Sequence, residues 1–590
     1  MPGWGEEAGR LKWSRRWDAE LEWDPPAARW FAGGQINASY NALDVQDPSR
    51  TAIIWEGEDG SVRRITYGWL LDQASRLAGG LLSMGVGRGD RVAIYLPMIP
   101  ELPAAMLACA RIGAVHTVVF SGLGAASLRS RIADSGARVL VTADAGYRRG
   151  ARIRLKEAAD EAVRGTGVRT IVVRRTGDAS LGPGDTWWDD LVSGSAPADP
   201  VPLESCHPLF ILYTSGTTGM PKGILHGTGG YLVHACSTFR LAFGTRPGDI
   251  YWCTADPGWV TGHSYVVYAP LCCGATQVMY EGAPDHPDAS RMWQVAERHG
   301  VTILYTTPTA IRMQMASGIL PGSHDLSALR LLGSVGEPLG APAWAWYRDE
   351  VGGGRCPVID TWWQTETGGM MVVDPPGGGT PEPGYAGRPV PGIDVRVVDD
   401  GGRPAPDGER GRIVVSGTWP GMMIGVWGSE ERYASYWSGD PPVYQAGDYA
   451  VRDAEGRIRI LGRADDVLNV AGHRIGTAEI EACAASHPGV AEAAACGVPD
   501  PVRGQSIAVF AVPRGGGFEP GEIRSLVRRD VGPVASPRIV CSVPRLPKTR
   551  SGKIMRRILG ALAAGSDPGD TSTLEDPGAV EDAARALRGA

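Results

Sequence analysis

From about residue 66 to 363, short runs rich in β-branched and aromatic residues alternate with longer Ala/Leu/Arg stretches. The runs include Arg91-Val-Ala-Ile-Tyr-Leu, His116-Thr-Val-Val-Phe, Arg138-Val-Leu-Val-Thr, Leu209-Phe-Ile-Leu-Tyr and Thr302-Ile-Leu-Tyr. Parallel strands need long crossovers and are covered on both faces, so this pattern predicts an α/β fold of parallel sheets flanked by helices. A Pro/Gly stretch from Asp374 to Gly392 then leads into three strand-like runs, Asp394 to Val398, Gly411 to Ser416 and Arg457 to Leu461, which read as a smaller antiparallel β unit. After Asp465 the pattern becomes helix (Ala478 to Ser486), strand (Ser506 to Val512), helix (Glu522 to Val531) and then Pro537-Arg-Ile-Val-Cys, a small α+β domain. The expected layout is a large N-terminal domain at 1–464, a small C-terminal domain at 465–559, and a tail at 560–590 that wraps the surface or is mobile.

A chain of 590 residues with 43% hydrophobic and 21% charged residues has enough apolar surface for several packed cores, which excludes wholesale disorder and a disulfide-stapled miniprotein. The net charge of -7 makes no case for nucleic acid or an anionic membrane as a partner, so a polyanionic ligand needs a local basic site. The ten cysteines are scattered, apart from the Cys272-Cys273 pair, and show no metal-ligand spacing; they read as reduced thiols of a cytoplasmic protein. The start, Met1-Pro-Gly-Trp-Gly-Glu-Glu, lacks the basic and apolar regions of a signal peptide. Pro257 to Tyr280 is free of Asp, Glu, Lys and Arg, but Gly, Pro, Thr, Ser and His interrupt it, so it reads as buried interior and not as a membrane span.

Tyr213-Thr-Ser-Gly-Thr-Thr-Gly-Met-Pro-Lys-Gly223 follows a buried strand. Its glycines and interleaved hydroxyls allow backbone N–H groups and Ser/Thr oxygens to converge on phosphate. It is not a Walker A loop, because Lys222 does not directly follow Gly219 and is itself followed by Gly223. A bare glycine loop could equally be an ordinary strand-to-helix turn, but the whole string is far more specific.

That string resembles the signature of the adenylate-forming superfamily of acyl-CoA synthetases, nonribosomal adenylation domains and luciferases. Five further strings resemble that superfamily in the right order: Gly333-Ser-Val-Gly-Glu-Pro338, Asp360-Thr-Trp-Trp-Gln-Thr-Glu-Thr-Gly-Gly369, Gly447-Asp-Tyr449, Gly462-Arg-Ala-Asp-Asp466 and Pro547-Lys-Thr-Arg-Ser-Gly-Lys553. Within the superfamily the chain is most similar to the acetyl-CoA synthetases, the AMP-forming acetate:CoA ligases. Both the segment Arg29 to Asp44 and the tail Gly569 to Gly578 resemble theirs, so the likeness spans nearly the whole chain.

The resemblance implies two half-reactions. A carboxylate is a poor acyl donor because thiolate attack must expel oxide, so adenylation by ATP first supplies AMP as a leaving group, with charge build-up that cations and fixed dipoles must stabilise. By resemblance, Lys553 bridges the acyl carboxylate and the α-phosphate, Glu366 holds Mg2+, and Thr365 contacts the α-phosphate. The phosphate loop contributes Thr214, Ser215, Gly216, Thr217, Thr218 and Lys222. Gly336, Glu337 and Pro338 line the adenine, Asp360, Thr361, Trp362 and Gln364 belong to the same nucleotide site, Asp448 and Arg463 reach the ribose, and Arg474 meets phosphate. Composition supports Lys553 independently: Lys12, Lys156, Lys222, Lys548 and Lys553 are the only lysines, and three of them fall in two of the matched strings. An ammonium is a compact point charge that guanidinium does not reproduce.

For the second half-reaction the resemblance implies that the small domain is mobile and swings about Asp465, so that CoA replaces the lysine at the acyl carbonyl. Ala471 and Gly472 would line the pantetheine tunnel, and Arg148 and Arg528 would pair with CoA phosphates. Val260, Thr261, Val335 and Trp363 would form an acyl pocket floored by the indole, suited to acetate first and propionate second. Two departures stand out: Ala471 occupies a position where bacterial relatives usually carry serine, and Pro257 replaces an aliphatic residue. The expected activity is therefore an ATP- and Mg2+-dependent acid:CoA ligase. The alternatives are a ligase for propionate or another C3–C4 acid such as acetoacetate, or a stand-alone domain loading a carrier-protein thiol. Arg550-Ser-Gly-Lys553-Ile-Met-Arg556 also resembles the segment that lysine acetyltransferases and deacetylases act on in related ligases.

Overall fold

Strands Val115–Val118, Val139–Ala143, Ile303–Thr306, Leu331–Ser334 and Val358–Trp362 are buried along their whole length, the condition that writes a parallel strand as an unbroken apolar run. The computed structural model describes residues 3–177, 179–214, 222–377, 382–463, 467–470, 473–500, 504–532, 535–549 and 552–589. They fall into two compact units, Met1–Val395 with Val415–Gln445, and Arg396–Val414 with Ala446–Ala590.

The first unit holds two eight-stranded sheets. In one, the order is Thr186–Trp187, Arg169–Val173, Val139–Ala143, Arg91–Tyr95, Val115–Val118, Pro208–Thr214, Lys222–Gly227 and Gly425–Val426, parallel as far as Pro208–Thr214 and antiparallel beyond it. In the other, Val358–Trp362, Leu331–Ser334, Ile303–Thr306, Ile250–Cys253, Thr276–Glu281 and Thr51–Gly57 run parallel, and an antiparallel strand closes each edge. Helix Glu101–Ile112 is buried at every residue and ends on Gly113, whose φ of 73° supplies the left-handed cap. The uncharged stretch that begins at Pro257 lies in the interior: the π-helical turn His263–Tyr268 is buried throughout and leads on to strand Thr276–Glu281. No helix among the described residues is long and apolar enough to cross a membrane.

The second unit is built on the antiparallel pair Val490–Asp500 and Gly504–Pro513, and both Val467–Val470 and the parallel strand Ile539–Ser542 pair with the other edge of Gly504–Pro513. Helices Thr477–Ala485 and Pro520–Asp530 cover one face through Ile480, Ala484, Ile523 and Val527. Helices Arg556–Ala563 and Gly578–Arg588 cover the other, placing Leu559 and Ala583 against Phe510. The segment from 560 onward therefore includes a packed helix whose apolar side completes a core. Strand Val490–Asp500 lies between the helix and the strand expected from the sequence, where no element is assigned: Val-Ala-Glu-Ala-Ala-Ala-Cys-Gly-Val is Ala-rich, yet pairing along a long partner strand overrides that weak local preference.

Candidate active site

Strands Ile250–Cys253, Ile303–Thr306, Leu331–Ser334 and Val358–Trp362 end at one edge of the second sheet, in register Cys253↔Tyr305, Thr306↔Ser334 and Ser334↔Asp360. The carboxyl edge of a parallel sheet is where such folds place ligands, because the loops leaving neighbouring strands meet there. Val335 to Pro338 leave one strand, Trp363 to Glu366 leave the next, and Val260 and Thr261 follow a third. Val335 donates its N–H to the Thr306 carbonyl at 3.0 Å, and the Thr361 hydroxyl bridges to the Ser334 carbonyl at 2.8 Å.

Glu337 points away from the loop it stands in, held by Arg312 at 2.7 Å and the Thr309 N–H at 2.8 Å, so the backbone of Gly336-Glu337-Pro338 is what the loop presents. Gly336 has φ +97°, and a Cβ there would meet nothing within 4 Å, which leaves the backbone open to close approach by a flat ring. Asp360 is buried beneath this loop, accepting from the N–H groups of Thr361 at 3.0 Å and Leu339 at 3.4 Å, and its burial pushes the carboxyl up to about 7.

Trp363 stands edge-on to Tyr265, ring centroids 5.0 Å apart. Tyr265 is in turn braced by Thr238 at 2.8 Å and by the Met370 N–H at 2.8 Å. Val260 and Thr261 form the short helical turn that leads into His263–Tyr268, and Val335 is buried at the end of its strand. A Cβ on Gly262 would lie 2.3 Å from the Asp256 backbone, so only glycine permits this tight turn beside Thr261. The four predicted acyl residues thus lie on elements that meet around Tyr265 and Trp363.

The hairpin of Pro208–Thr214 and Lys222–Gly227 pairs Thr214 with Lys222, and its tip, with Ser215, Gly216, Thr217 and Thr218, lies outside the described residues. The Lys222 ammonium sits 5.2 Å from the centre of the Tyr436 ring, and the Tyr436 hydroxyl donates to Glu366 Oε1 at 2.8 Å. The turn Thr365–Thr367 is pinned from several sides: His226 Nε2 donates to the Thr365 carbonyl at 2.7 Å, Trp419 Nε1 to the Thr367 carbonyl at 3.0 Å, and the Tyr444 hydroxyl to Gln364 Oε1 at 2.7 Å. Burial pushes His226 down to about 4, which keeps the ring neutral with its proton on the donating nitrogen. Tyr436 and His226 lie in none of the quoted strings and no local pattern marks them, while Tyr265 falls in the uncharged stretch Pro257 to Tyr280, which signals burial but not a place beside Trp363.

In the second unit Asp448 and Arg463 face each other across a hairpin, 3.7 Å apart, with Arg463 also donating to the Ala446 carbonyl at 3.2 Å. Arg474 falls in strand His473–Gly476, and Arg528 is exposed on helix Pro520–Asp530. Lys553 is exposed on a loop closed by the Thr549 N–H to the Lys553 carbonyl at 2.8 Å. Asp465, Ala471 and Gly472 lie outside the described residues. Arg148 is half-buried on the hairpin Gly146–Arg148 and Ala151–Ile153 of the first unit; its charge opposes the burial that pushes Asp256 up to about 6.

Comparison with known proteins adds three family matches: AMP-binding enzyme over residues 42–427, AMP-binding enzyme C-terminal domain over 479–553, and acetyl-coenzyme A synthetase N-terminus over 4–42. An acetyl-coenzyme A synthetase of Rubrobacter xylanophilus is 52% identical, over 98% of this chain and 92% of its own length. That of Deinococcus radiodurans is 50% identical over 98% and 91%, and that of Mycobacterium tuberculosis 51% identical over 99% and 94%. The chain belongs to the acetyl-coenzyme A synthetase family. Acetyl-coenzyme A synthetase relatives share its whole span, and the fold extends further: the solved acetoacetyl-CoA synthetase of Streptomyces lividans is 26% identical and superposes with a TM-score of 0.90, covering 99% of this chain and 92% of that one.

Proposed function

We propose that this chain is an ATP- and Mg2+-dependent acetate:CoA ligase that passes through acetyl-adenylate and releases AMP and pyrophosphate. The observation that carries the reading is that Trp363, packed on Tyr265, and Glu366, bonded to Tyr436 beside Lys222, both leave the end of strand Val358–Trp362. Bulky aromatic rings beside a carboxylate and an ammonium suit a short acid presented to a nucleotide. Glu366 fits Mg2+: among the described residues its carboxylate meets the Tyr436 hydroxyl, and a single carboxylate completed by phosphate oxygens is an ordinary magnesium arrangement. Bound there, the ion neutralises phosphate charge. The turn around Gln364 and Thr365 orients the acceptor groups, Gly336 to Pro338 offer backbone to adenine, Asp448 and Arg463 serve the ribose, and Lys553 stabilises the charge shared by acid and α-phosphate.

In the second step Arg148 and Arg528 bind CoA phosphates, with Asp465 as the hinge between domains at 1–464 and 465–559. An exposed Lys553 also suits an acetyltransferase and a deacetylase as regulators, and the free thiols suit a cytoplasmic enzyme. A second reading, an acetoacetate ligase, is favoured by the likeness to the Streptomyces lividans structure. Pyrophosphate release measured across C2 to C6 acids and acetoacetate, with and without CoA, decides between them. Release with acetate at the highest kcat/KM supports the first reading, and a preference for acetoacetate overturns it.

A further inference from the structure

Between Gly146–Arg148 and Ala151–Ile153, paired Arg148↔Ala151, the chain reverses through Arg149 and Gly150, with φ of 52° and 72°. Such a turn matches the twist of a tight hairpin, but its left-handed backbone is unfavourable for arginine. Arg148, Arg149, Arg152 and Arg154 place four guanidinium groups within seven residues, of which Arg149 pairs with Asp285 and Arg154 with Glu157.

One carboxylate holds the turn. Glu58 Oε2 accepts from the Arg149 N–H at 2.9 Å and the Ala283 N–H at 2.8 Å, while Oε1 accepts from the Gly150 N–H at 2.7 Å. Glu58 follows strand Thr51–Gly57 and Ala283 follows Thr276–Glu281, strands paired in parallel at Gly57↔Glu281. The hairpin itself follows strand Val139–Ala143 of the other sheet, so Glu58 fastens a loop of one sheet to the edge of the second. Neighbouring groups add to the clamp: the Tyr147 N–H donates to Glu281 at 3.3 Å, and Arg149 Nη2 meets Asp285 at 3.0 Å. A strained turn held from several sides is how a fold fixes the aim of a side chain.

We propose that Glu58 is a positioning residue for the CoA half-reaction, locking the left-handed Arg149–Gly150 turn so that Arg148 is aimed at the phosphate groups of CoA. The inference rests on the reading of Arg148 as a CoA-phosphate ligand. Glu58 touches no substrate and acts through the hairpin backbone. Its loss releases two turn N–H groups and lets Arg149 relax out of the left-handed region, which turns Arg148 with it.

The test uses the full-length enzyme with Glu58→Ala, Glu58→Gln and Arg148→Ala. It measures acetate-dependent ATP–pyrophosphate exchange for the first step, and KM and kcat for CoA in thioester formation from supplied acetyl-adenylate. Glu58→Ala is expected to raise KM for CoA about tenfold, the order of one charge-assisted contact, with exchange retained. Glu58→Gln, which keeps one carbonyl acceptor, should fall between. An unchanged KM for CoA in Glu58→Ala beside a raised one in Arg148→Ala overturns the positioning role and leaves the Arg148 reading standing. Unchanged KM in both overturns the Arg148 reading and the inference with it. Equal loss of both half-reactions in Glu58→Ala, unrelieved in Glu58→Gln, makes the residue structural and also overturns the proposal.

Discussion

An indole at position 363 excludes chain atoms by bulk, and Tyr265 beside it is anchored through Thr238 and Met370 independently of the tryptophan. Trp363→Gly therefore leaves a cavity in place of a collapsed wall, and each extra buried methylene can gain about 0.8 kcal/mol, roughly fourfold in kcat/KM. The variant should favour butyrate and valerate and lose kcat/KM for acetate, as read from specificity constants for C2 to C6 acids with a melting curve to confirm folding. An unchanged preference for acetate in a folded variant would remove Trp363 from the acyl pocket. At the phosphate corner, Tyr436→Phe keeps the ring beside Lys222 and deletes the donor to Glu366. Losing a hydrogen bond to a carboxylate is worth about 1.5–3 kcal/mol, so adenylate formation should fall by about tenfold or more while thioester formation from supplied adenylate holds. Acetate-dependent ATP–pyrophosphate exchange reads the first step, and thioester formation from supplied acetyl-adenylate reads the second. Trp363, Glu366 and Lys222 are legible in the sequence because they sit in dense strings. Tyr436 reaches Glu366 across 70 residues of chain and His226 reaches Thr365 across 139, contacts that only the fold creates.

At the scale of elements, the same strands and helices that shape the site bury a set of imidazoles. Burial holds His226 and His234 down to about 4 and His263 down to about 3, from an ordinary value of 6.5. The folded rings stay neutral where an unfolded chain would protonate them, so between about pH 6.5 and 4 the unfolded state binds more protons and stability rises with pH. The contribution of one ring is read by difference: His226→Gln, which keeps a donor for the Thr365 carbonyl without titrating, should lose less Tm than the unsubstituted chain on acidification from pH 7 to 5, the buried carboxyls of Asp256 and Asp360 acting equally in both. Thermal melts across that range check this; an unaltered slope in the variant would mean His226 is not among the groups responsible. The parallel strands around these rings are legible because burial on both faces leaves continuous apolar runs. Val490–Asp500 is not, since Ala predominates between Val490 and Val498 and its strand state depends on pairing with the strand that follows it, Gly504–Pro513. Helix Gly578–Arg588 is masked in the same way by a Gly/Asp/Pro-rich context, although Ala579 and Ala583 are buried on its inner side.

For the molecule as a whole, the motif order predicts a large domain at 1–464, a small one at 465–559 and two half-reactions, whereas the way the chain passes back and forth between units, at Val395/Arg396, Val414/Val415 and Gln445/Ala446, leaves no mark in composition. Lys553 is the residue through which the division of labour is tested. Its side chain is exposed, and its loop is closed by backbone and Thr549 hydroxyl bonds that Lys553→Ala leaves intact. Substitution at such a surface position typically changes stability by no more than about 0.5 kcal/mol, so Tm should hold and any loss of rate belongs to the chemistry. In the role proposed for it, the charge is needed when carboxylate and α-phosphate share negative charge, and not when a thiol attacks a finished adenylate. Lys553→Ala should therefore abolish acetate-dependent pyrophosphate exchange and leave thioester formation from supplied acetyl-adenylate largely intact. Lys553→Arg should not restore the first step, because a planar guanidinium cannot replace a point charge between two oxygens. Enzymatic acetylation of Lys553 should mimic the alanine variant, with deacetylation restoring exchange, since it removes the same charge. If both half-reactions fell together in a variant with an unchanged melting curve, Lys553 would serve both steps and the assignment to adenylation alone would be wrong.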